Sequence, residues 1–163
     1  MIKENKKLLE ELYLKYTKNN YPNFPVFAIP PEKFSDKTAN ELTKTICKFI
    51  TYIGGQAERV SNQGQYRDNT KIVTDVLGRK RTIGSGAWTK GQGTNGTADI
   101  SAIYLGTSFK IEVKIGKDIM SQAQMKYKKD VERAGAIYII ARNFDDFIND
   151  FREICKKIKQ KNK

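Results

Sequence analysis

The chain has 163 residues, enough for one domain with a sizeable core. Thirty Lys and Arg against 18 Asp and Glu leave a formal charge of +12, which favours a polyanionic partner, either nucleic acid or an acidic membrane surface. Histidine is absent, which excludes Ser-His-Asp and Cys-His hydrolysis, His-ligated zinc and any nuclease built on a His base; chemistry is left to carboxylates, Lys, Tyr, hydroxyls and hard metal ions.

No apolar run approaches the length that spans a bilayer, and the opening MIKENKKLLEEL lacks the apolar stretch of a signal peptide. Cys47 and Cys155 fall in the apolar stripes of predicted helices and read as reduced core residues. Together these features predict an intracellular, cytoplasmic protein without membrane attachment.

In chain order, residues 3 to 18 are predicted as an amphipathic helix with Leu8, Leu9, Leu12, Tyr13 and Tyr16 on one side. YPNFPVFAIPPEKF holds all four prolines and reads as an extended arm that packs through its aromatics. A helix over 39 to 54 carries the stripe Ala39, Leu42, Ile46, Phe49, Ile50 and Ile53, and Gly54–Gly55 ends it. AERVSN is a short strand, and KIVTDVLGRKRTIG a hairpin turning around Gly78. Residues 84 to 97, GSGAWTKGQGTNGT, read as a glycine-rich loop. ADISAIYL and FKIEVKI are strands joined by a tight turn about Gly106–Thr107. A helix over 121 to 134 bears Ala123, Tyr127, Val131 and Ala134, and AIYIIAR is a strand covered on both faces. The last helix starts at an Asn143 cap, with Asp145 and Asp146 in its first turn, and buries Phe144, Phe147, Ile148, Phe151 and Ile154. KKIKQKNK is predicted to fray off as a basic tail. The order of elements gives an α/β fold, divided into an N-terminal helix and arm (1–36), a core with its C-terminal helix (37–155) and the tail (156–163).

The segment KIEVKI carries the chemistry. As a strand it sets Lys110, Glu112 and Lys114 on one face and Ile111, Val113 and Ile115 on the other. Asp99 opens the preceding strand, so a tight hairpin brings Asp99 and Glu112 to the same end of the sheet. Two neighbouring carboxylates raise each other's pKa unless a cation neutralises them, and Mg²⁺ suits carboxylate oxygens, a carbonyl and waters. Lys114, on the same face, is positioned to orient a water and to stabilise charge developing on a phosphate.

These stretches, GTADI, KIEVKIG, SQAQMKY and GAIYIIAR, resemble the PD-(D/E)XK nuclease superfamily and, within it, the stand-alone VRR-NUC type found in phages. The resemblance covers about residues 38 to 147, with TAD at 97–99 in place of the Asp motif and EVK at 112–114 in place of Glu-x-Lys. Ala98 stands where many members have Pro, and no Val-Arg-Arg triplet is present. The resemblance implies a restriction-endonuclease-like αβββαβ core carrying an inserted hairpin, and a metal-dependent DNA endonuclease. It also implies that Asp99, Glu112 and the Val113 carbonyl bind Mg²⁺, with Mn²⁺ able to substitute, and that Lys114 assists hydrolysis. Glu41, in the first core helix, maps to a further acidic ligand and Gln124 to a catalytic Gln; TANE at 38–41 and SQAQ at 121–124 equally fit capping boxes. TYIGG at 51–55 lacks the Gly-Ile-Tyr strand that a GIY-YIG nuclease requires just before it.

Each residue also has a bland reading. Glu112 and Lys114 fit an ion-paired, solvent-facing strand face, and Asp99 a loop cap. Arg79, Lys80, Arg81, Lys90 and Lys117 fit a solvated surface or contacts to nucleic acid phosphates. Trp88 fits base stacking or a core anchor for its loop. Residues 37 to 98 hold ten basic and four acidic residues, a net of +6, against +1 for residues 1 to 36. With the resemblance, the expected function is a Mg²⁺-dependent DNA nuclease, the resemblance implying branched DNA as its substrate, for which two symmetric cuts favour a homodimer. Its alternatives are a non-catalytic DNA-binding protein of the same fold, or a protein-interaction module that counters host defence through the N-terminal arm.

Overall fold

Apolar and polar residues alternate in FKIEV, whereas IYIIA is apolar throughout but for a tyrosine hydroxyl. The first suits a strand with two unlike faces and the second a strand covered on both. The computed structural model describes residues 1–61, 64–89, 91 and 93–161. In chain order its elements are α1 (Lys3–Asn20), a 3₁₀ turn (Val26–Ala28), α2 (Ala39–Tyr52), β1 (Gln56–Arg59), β2 (Gln65–Asp68), β3 (Lys71–Thr74), β4 (Lys80–Ile83), β5 (Gly86–Thr89), β6 (Ile100–Tyr104), β7 (Thr107–Val113), α3 (Gln122–Arg133), β8 (Ile137–Ala141) and α4 (Phe144–Lys161). They divide into two units, residues 1–60 with 96–163 and residues 61–95.

The first unit is a mixed α/β fold. Its sheet has the order β1-β6-β7-β8, with β1–β6 and β6–β7 antiparallel and β7–β8 parallel. One face presents Ile100, Ala102, Phe109, Ile111, Val113, Ile139 and Ala141, all buried in one core with Leu42, Ile46, Phe49 and Ile50 of α2 and Phe144, Phe147, Ile148 and Phe151 of α4. Phe49 sits edge-on to Phe144, Phe147 and Phe151, a packing that aromatic rings favour. The opposite face packs Tyr138 and Ile140 of β8 with Val131 and Tyr127 of α3. The predicted double cover of β8 is therefore present.

The N-terminal helix belongs to this core. Leu9 is fully buried, and Leu8, Leu12 and Tyr13 pack around it. Asn5 donates to Asp145 Oδ1 at 2.7 Å, and the Ile2 N–H meets the same carboxylate, tying α1 to the first turn of α4.

Four expectations are corrected. Of the arm's aromatics only Phe34 is buried; Tyr21, Phe24 and Phe27 are exposed, Phe27 at 92%, in a segment that Pro22 and Pro25 keep in turns and a short 3₁₀ helix. The strand AERVSN is shorter than predicted, ending at Arg59. Part of the glycine-rich stretch is the strand β5, which pairs with β2, a strand not foreseen. The basic tail is helical through Lys161, since Ile154, Cys155 and Ile158 continue the buried stripe of α4. Cys47 and Cys155 are free thiols, and burial pushes Cys47 up to about 11. No helix among the described residues is long and apolar enough to cross a membrane.

The second unit consists of two short ladders, β2 with β5 and β3 with β4, and the predicted turn at Gly78 closes the latter. Its strands are exposed almost throughout.

Since α1 supplies a fully buried leucine, Leu9→Ala is expected to cost about 2–5 kcal/mol in a urea titration of the whole chain. A change below about 0.5 kcal/mol would show that α1 is an appendage and not part of the core.

Candidate active site on the polar face of the sheet

A two-residue turn brings the carboxylates together. Leu105 and Gly106 both have positive φ, 50° and 71°, as in the hairpin turn whose twist matches its strands. The turn lies one residue earlier than expected, and Thr107 already pairs with Tyr104. It fixes the register through Ile100 opposite Ile111, so the next step along the ladder sets Asp99 beside Glu112. A slip of one residue would turn Glu112 into the apolar core. Asp99 is half-buried, and its Oδ2 accepts from the Val113 N–H at 2.9 Å. Gly96, in the approach to Asp99, runs against the start of α3; a Cβ there would lie 2.4 Å from the Ala123 carbonyl carbon, so a side chain would push the helix off.

Glu112 is only 1% exposed and Lys114 6%, on a strand flanked on both sides. The solvated-face reading of this pair is thereby excluded. Lys114 Nζ lies 3.3 Å from Glu112 Oε1 and 3.2 Å from Asp118 Oδ2. Tyr138 donates from its hydroxyl to Glu112 Oε2 at 3.3 Å, and Gln124 Nε2 donates to Oε1. Lys110, on the same face, donates instead to Ser101 Oγ at 2.7 Å and stands outside the cluster.

Burial pushes the Glu112 carboxyl above the usual range, with the nearby Asp99 charge adding to the effect, while Lys114 and Tyr138 oppose it. For Lys114, burial works against the ammonium, yet its bonds to Asp118 and Glu112 prevail and hold it above the ordinary lysine value. Burial, reinforced by Glu112, also pushes up the Tyr138 phenol, which therefore stays a donor.

The two capping-box candidates separate. Gln124 does both jobs: its Oε1 accepts from the Ser121 N–H at 2.9 Å while its Nε2 holds Glu112. Glu41 serves the cap alone, its Oε2 accepting from Ser35 Oγ at 3.0 Å and the Thr38 N–H at 3.1 Å; it has no hydrogen bond or ion pair to Asp99 or Glu112. These contacts hold one oxygen of its carboxylate in the cap, and no contact of Glu41 supports its expected role as a ligand. Lys117 is exposed in the turn between β7 and α3. Arg79, Lys80, Arg81 and Trp88 lie in the second unit, on or beside β4 and β5, where Arg81 pairs with Asp75 at 3.4 Å. Trp88 is on an exposed strand, so its core-anchor reading is excluded. Lys90 lies outside the described residues.

Tyr138 and Asp118 were not singled out from sequence. The signals were present: Tyr138 is the only polar side chain in IYIIA, and Asp118 follows Lys114 at a four-residue spacing.

Among the described residues no group of three or more Asp, Glu or Cys side chains is placed to hold a metal. The expected donors, Asp99, Glu112 and the Val113 carbonyl, are of the type that suits Mg²⁺, an ion that keeps several waters and takes one or two carboxylates. No family model, no curated protein and no solved structure matches this chain.

Because Glu112 has a raised folded pKa, its contribution to stability is fullest below the ordinary 4.5 and declines as pH rises through the raised value. Lys114 contributes fully below 10.5 and loses its contribution as pH rises through its own raised value. Glu112→Gln is expected to flatten the decline on the acid side and to stay within about 2 kcal/mol of wild type at pH 7, since Lys114 retains Asp118. Lys114→Met leaves the Glu112 charge unpaired and is expected to cost about 3 kcal/mol at pH 7, less in acid. Urea unfolding at acid and neutral pH checks both; two equal, small losses would contradict a buried pair.

Proposed function

We propose that this chain is a Mg²⁺-dependent DNA endonuclease with a restriction-endonuclease-like core, acting on branched or otherwise structured DNA. One observation carries the proposal: a Glu–Lys pair, with a second carboxylate beside it, is buried at the end of an inner strand of the sheet. Burying two charges costs several kcal/mol per ion, and apolar residues of similar volume serve stability as well or better. Such a cluster is expected where chemistry requires it. The order of the sheet, with α2 on one face and α3 on the other, agrees with the αβββαβ core that the motifs imply.

In this proposal Asp99, Glu112 and the Val113 carbonyl hold the metal, which when bound supplies Lewis acidity and lowers the pKa of its water. The other roles belong to the chain itself. Tyr138 and Gln124 fix the orientation of the Glu112 carboxylate, one donor to each oxygen. Asp118 and Glu112 keep Lys114 a cation, so it stabilises negative charge on a phosphate and is not a proton acceptor. The net charge of +12 draws the polyanion in. Symmetric cuts across a junction require a C2 dimer.

A protein-interaction role finds support in the exposed Tyr21, Phe24 and Phe27 of the arm, and it is compatible with catalysis elsewhere. The deciding assay offers labelled four-way junction, flap and linear duplex DNA with Mg²⁺, Mn²⁺ or EDTA. Metal-dependent cutting is expected, falling on the order of a hundredfold or more in Asp99→Asn and Lys114→Ala. Binding without cutting under either metal would overturn the catalytic proposal in favour of the DNA-binding one.

A further inference from the structure

The two ladders of the second unit share one register. Gln65 pairs with Thr89 and Asp68 with Gly86; after a break of two residues on each strand, Lys71 pairs with Ile83 and Thr74 with Lys80. They are one antiparallel ribbon with an interruption, where Gly84 comes so close to the Asn69 carbonyl oxygen that a Cβ would sit 2.4 Å from it.

At the open end of this ribbon Tyr66 and Trp88 face each other as a cross-strand pair, their ring centroids 6.5 Å apart and tilted by 37°. Each ring has a seat made by a missing side chain. A Cβ on Gly86 would fall 1.7 Å from the Tyr66 hydroxyl, and one on Gly64 would fall 2.8 Å from Trp88 Nε1. With backbone beneath them, the rings leave their outer surfaces to solvent: Tyr66 is 62% exposed and Trp88 70%.

Both carboxylates of the ribbon accept hydrogen bonds from within it. Asp68 accepts from the Thr70 N–H and hydroxyl, and Asp75 accepts from the Leu77 and Arg79 N–H groups while pairing with Arg81. Arg67, Lys71, Arg79 and Lys80 are exposed and form no ion pair among the described residues; in this register Lys80 falls on the face of Tyr66 and Trp88, Arg67 and Lys71 on the other. Aromatic faces left open to solvent, on a ribbon that also carries unpaired cations, match a chain of bases and phosphates.

We propose that residues 64–89 are a binding platform for unpaired nucleotides, in which Tyr66 and Trp88 stack a base while Arg79 and Lys80, towards the closed end of the ribbon, meet phosphates further along the strand. It rests on the endonuclease proposal only in taking DNA as the partner, and it names the feature of that DNA, an unpaired stretch, that the protein engages.

Trp88 is the sole tryptophan, so its emission reports on the platform directly. The full chain in EDTA, where no metal supports cutting, is titrated with a short oligodeoxythymidine, an abasic oligomer of equal length, and a duplex. The expected result is strong quenching by oligodeoxythymidine and little by the abasic chain, with affinity falling as salt rises. Tyr66→Leu is expected to weaken oligodeoxythymidine binding on the order of tenfold, and Tyr66→Phe, which keeps a stacking face, to retain it. Equal quenching by the abasic oligomer, or equal affinity in Tyr66→Leu and Tyr66→Phe, overturns the platform. Emission unmoved by every oligonucleotide also overturns it and leaves the surface to a protein partner. Cleavage is assayed separately with Mg²⁺. Quenching without cutting supports the platform while removing the nuclease; cutting without quenching overturns the platform and keeps the nuclease.

Discussion

The burial of Glu112 against Lys114 is the constraint around which the first unit is arranged. Glu112 lies on β7, between an antiparallel and a parallel neighbour, and Lys114 just past its end; both side chains are buried. Removing a carboxylate and an ammonium from water costs several kcal/mol each, and their mutual attraction offsets that only when the remaining lone pairs and protons are also satisfied. Each surrounding element supplies one such partner: Tyr138 from β8, Gln124 from α3, and Asp118 from the turn after β7. No buried side-chain polar atom among the described residues is left without a partner.

The geometry of this cluster follows from two local devices. The turn at Leu105–Gly106 sets the hairpin register and thereby the side of the sheet on which Glu112 lies. The capping box at the start of α3 orients Gln124. An amide carries both an acceptor and a donor, so Gln124 caps its helix with oxygen and holds the Glu112 carboxylate with nitrogen. The corresponding residue of α2, Glu41, is a carboxylate with acceptors only, and the cap with Ser35 engages it. The same local sequence logic therefore gives a residue that reaches the cluster in one helix and one hydrogen-bonded within its own cap in the other.

Much of this was legible in the sequence. Alternation in KIEVKI is strict, and the paired strand has a hairpin turn beside it, so the faces and the approach of Asp99 to Glu112 could be read from period and spacing alone. The stripes of α2, α3 and α4 likewise follow helical periodicity. What escaped lacks such a signal. The strand β2 is four polar or aromatic residues, and β5 begins at a glycine that reads as loop, although that glycine exists to admit the Tyr66 ring. The exposed arm deceived because aromatics next to prolines look like core anchors, and only tertiary packing distinguishes buried Phe34 from exposed Phe27. Tyr138 was hidden by its apolar neighbours, since its function lies in a hydroxyl directed across to the adjacent strand.

The central claim is that Asp99 and Glu112 together form a site for a hard divalent cation, with Lys114 beside it. Electron paramagnetic resonance of free Mn²⁺, titrated against the full chain in the absence of DNA, tests it most directly. One Mn²⁺ bound per chain, displaced by Mg²⁺ and lost in Asp99→Asn, is the predicted result. Equal Mn²⁺ uptake by wild type and Asp99→Asn, or none by either, would contradict it and leave the buried pair as a structural feature of the sheet.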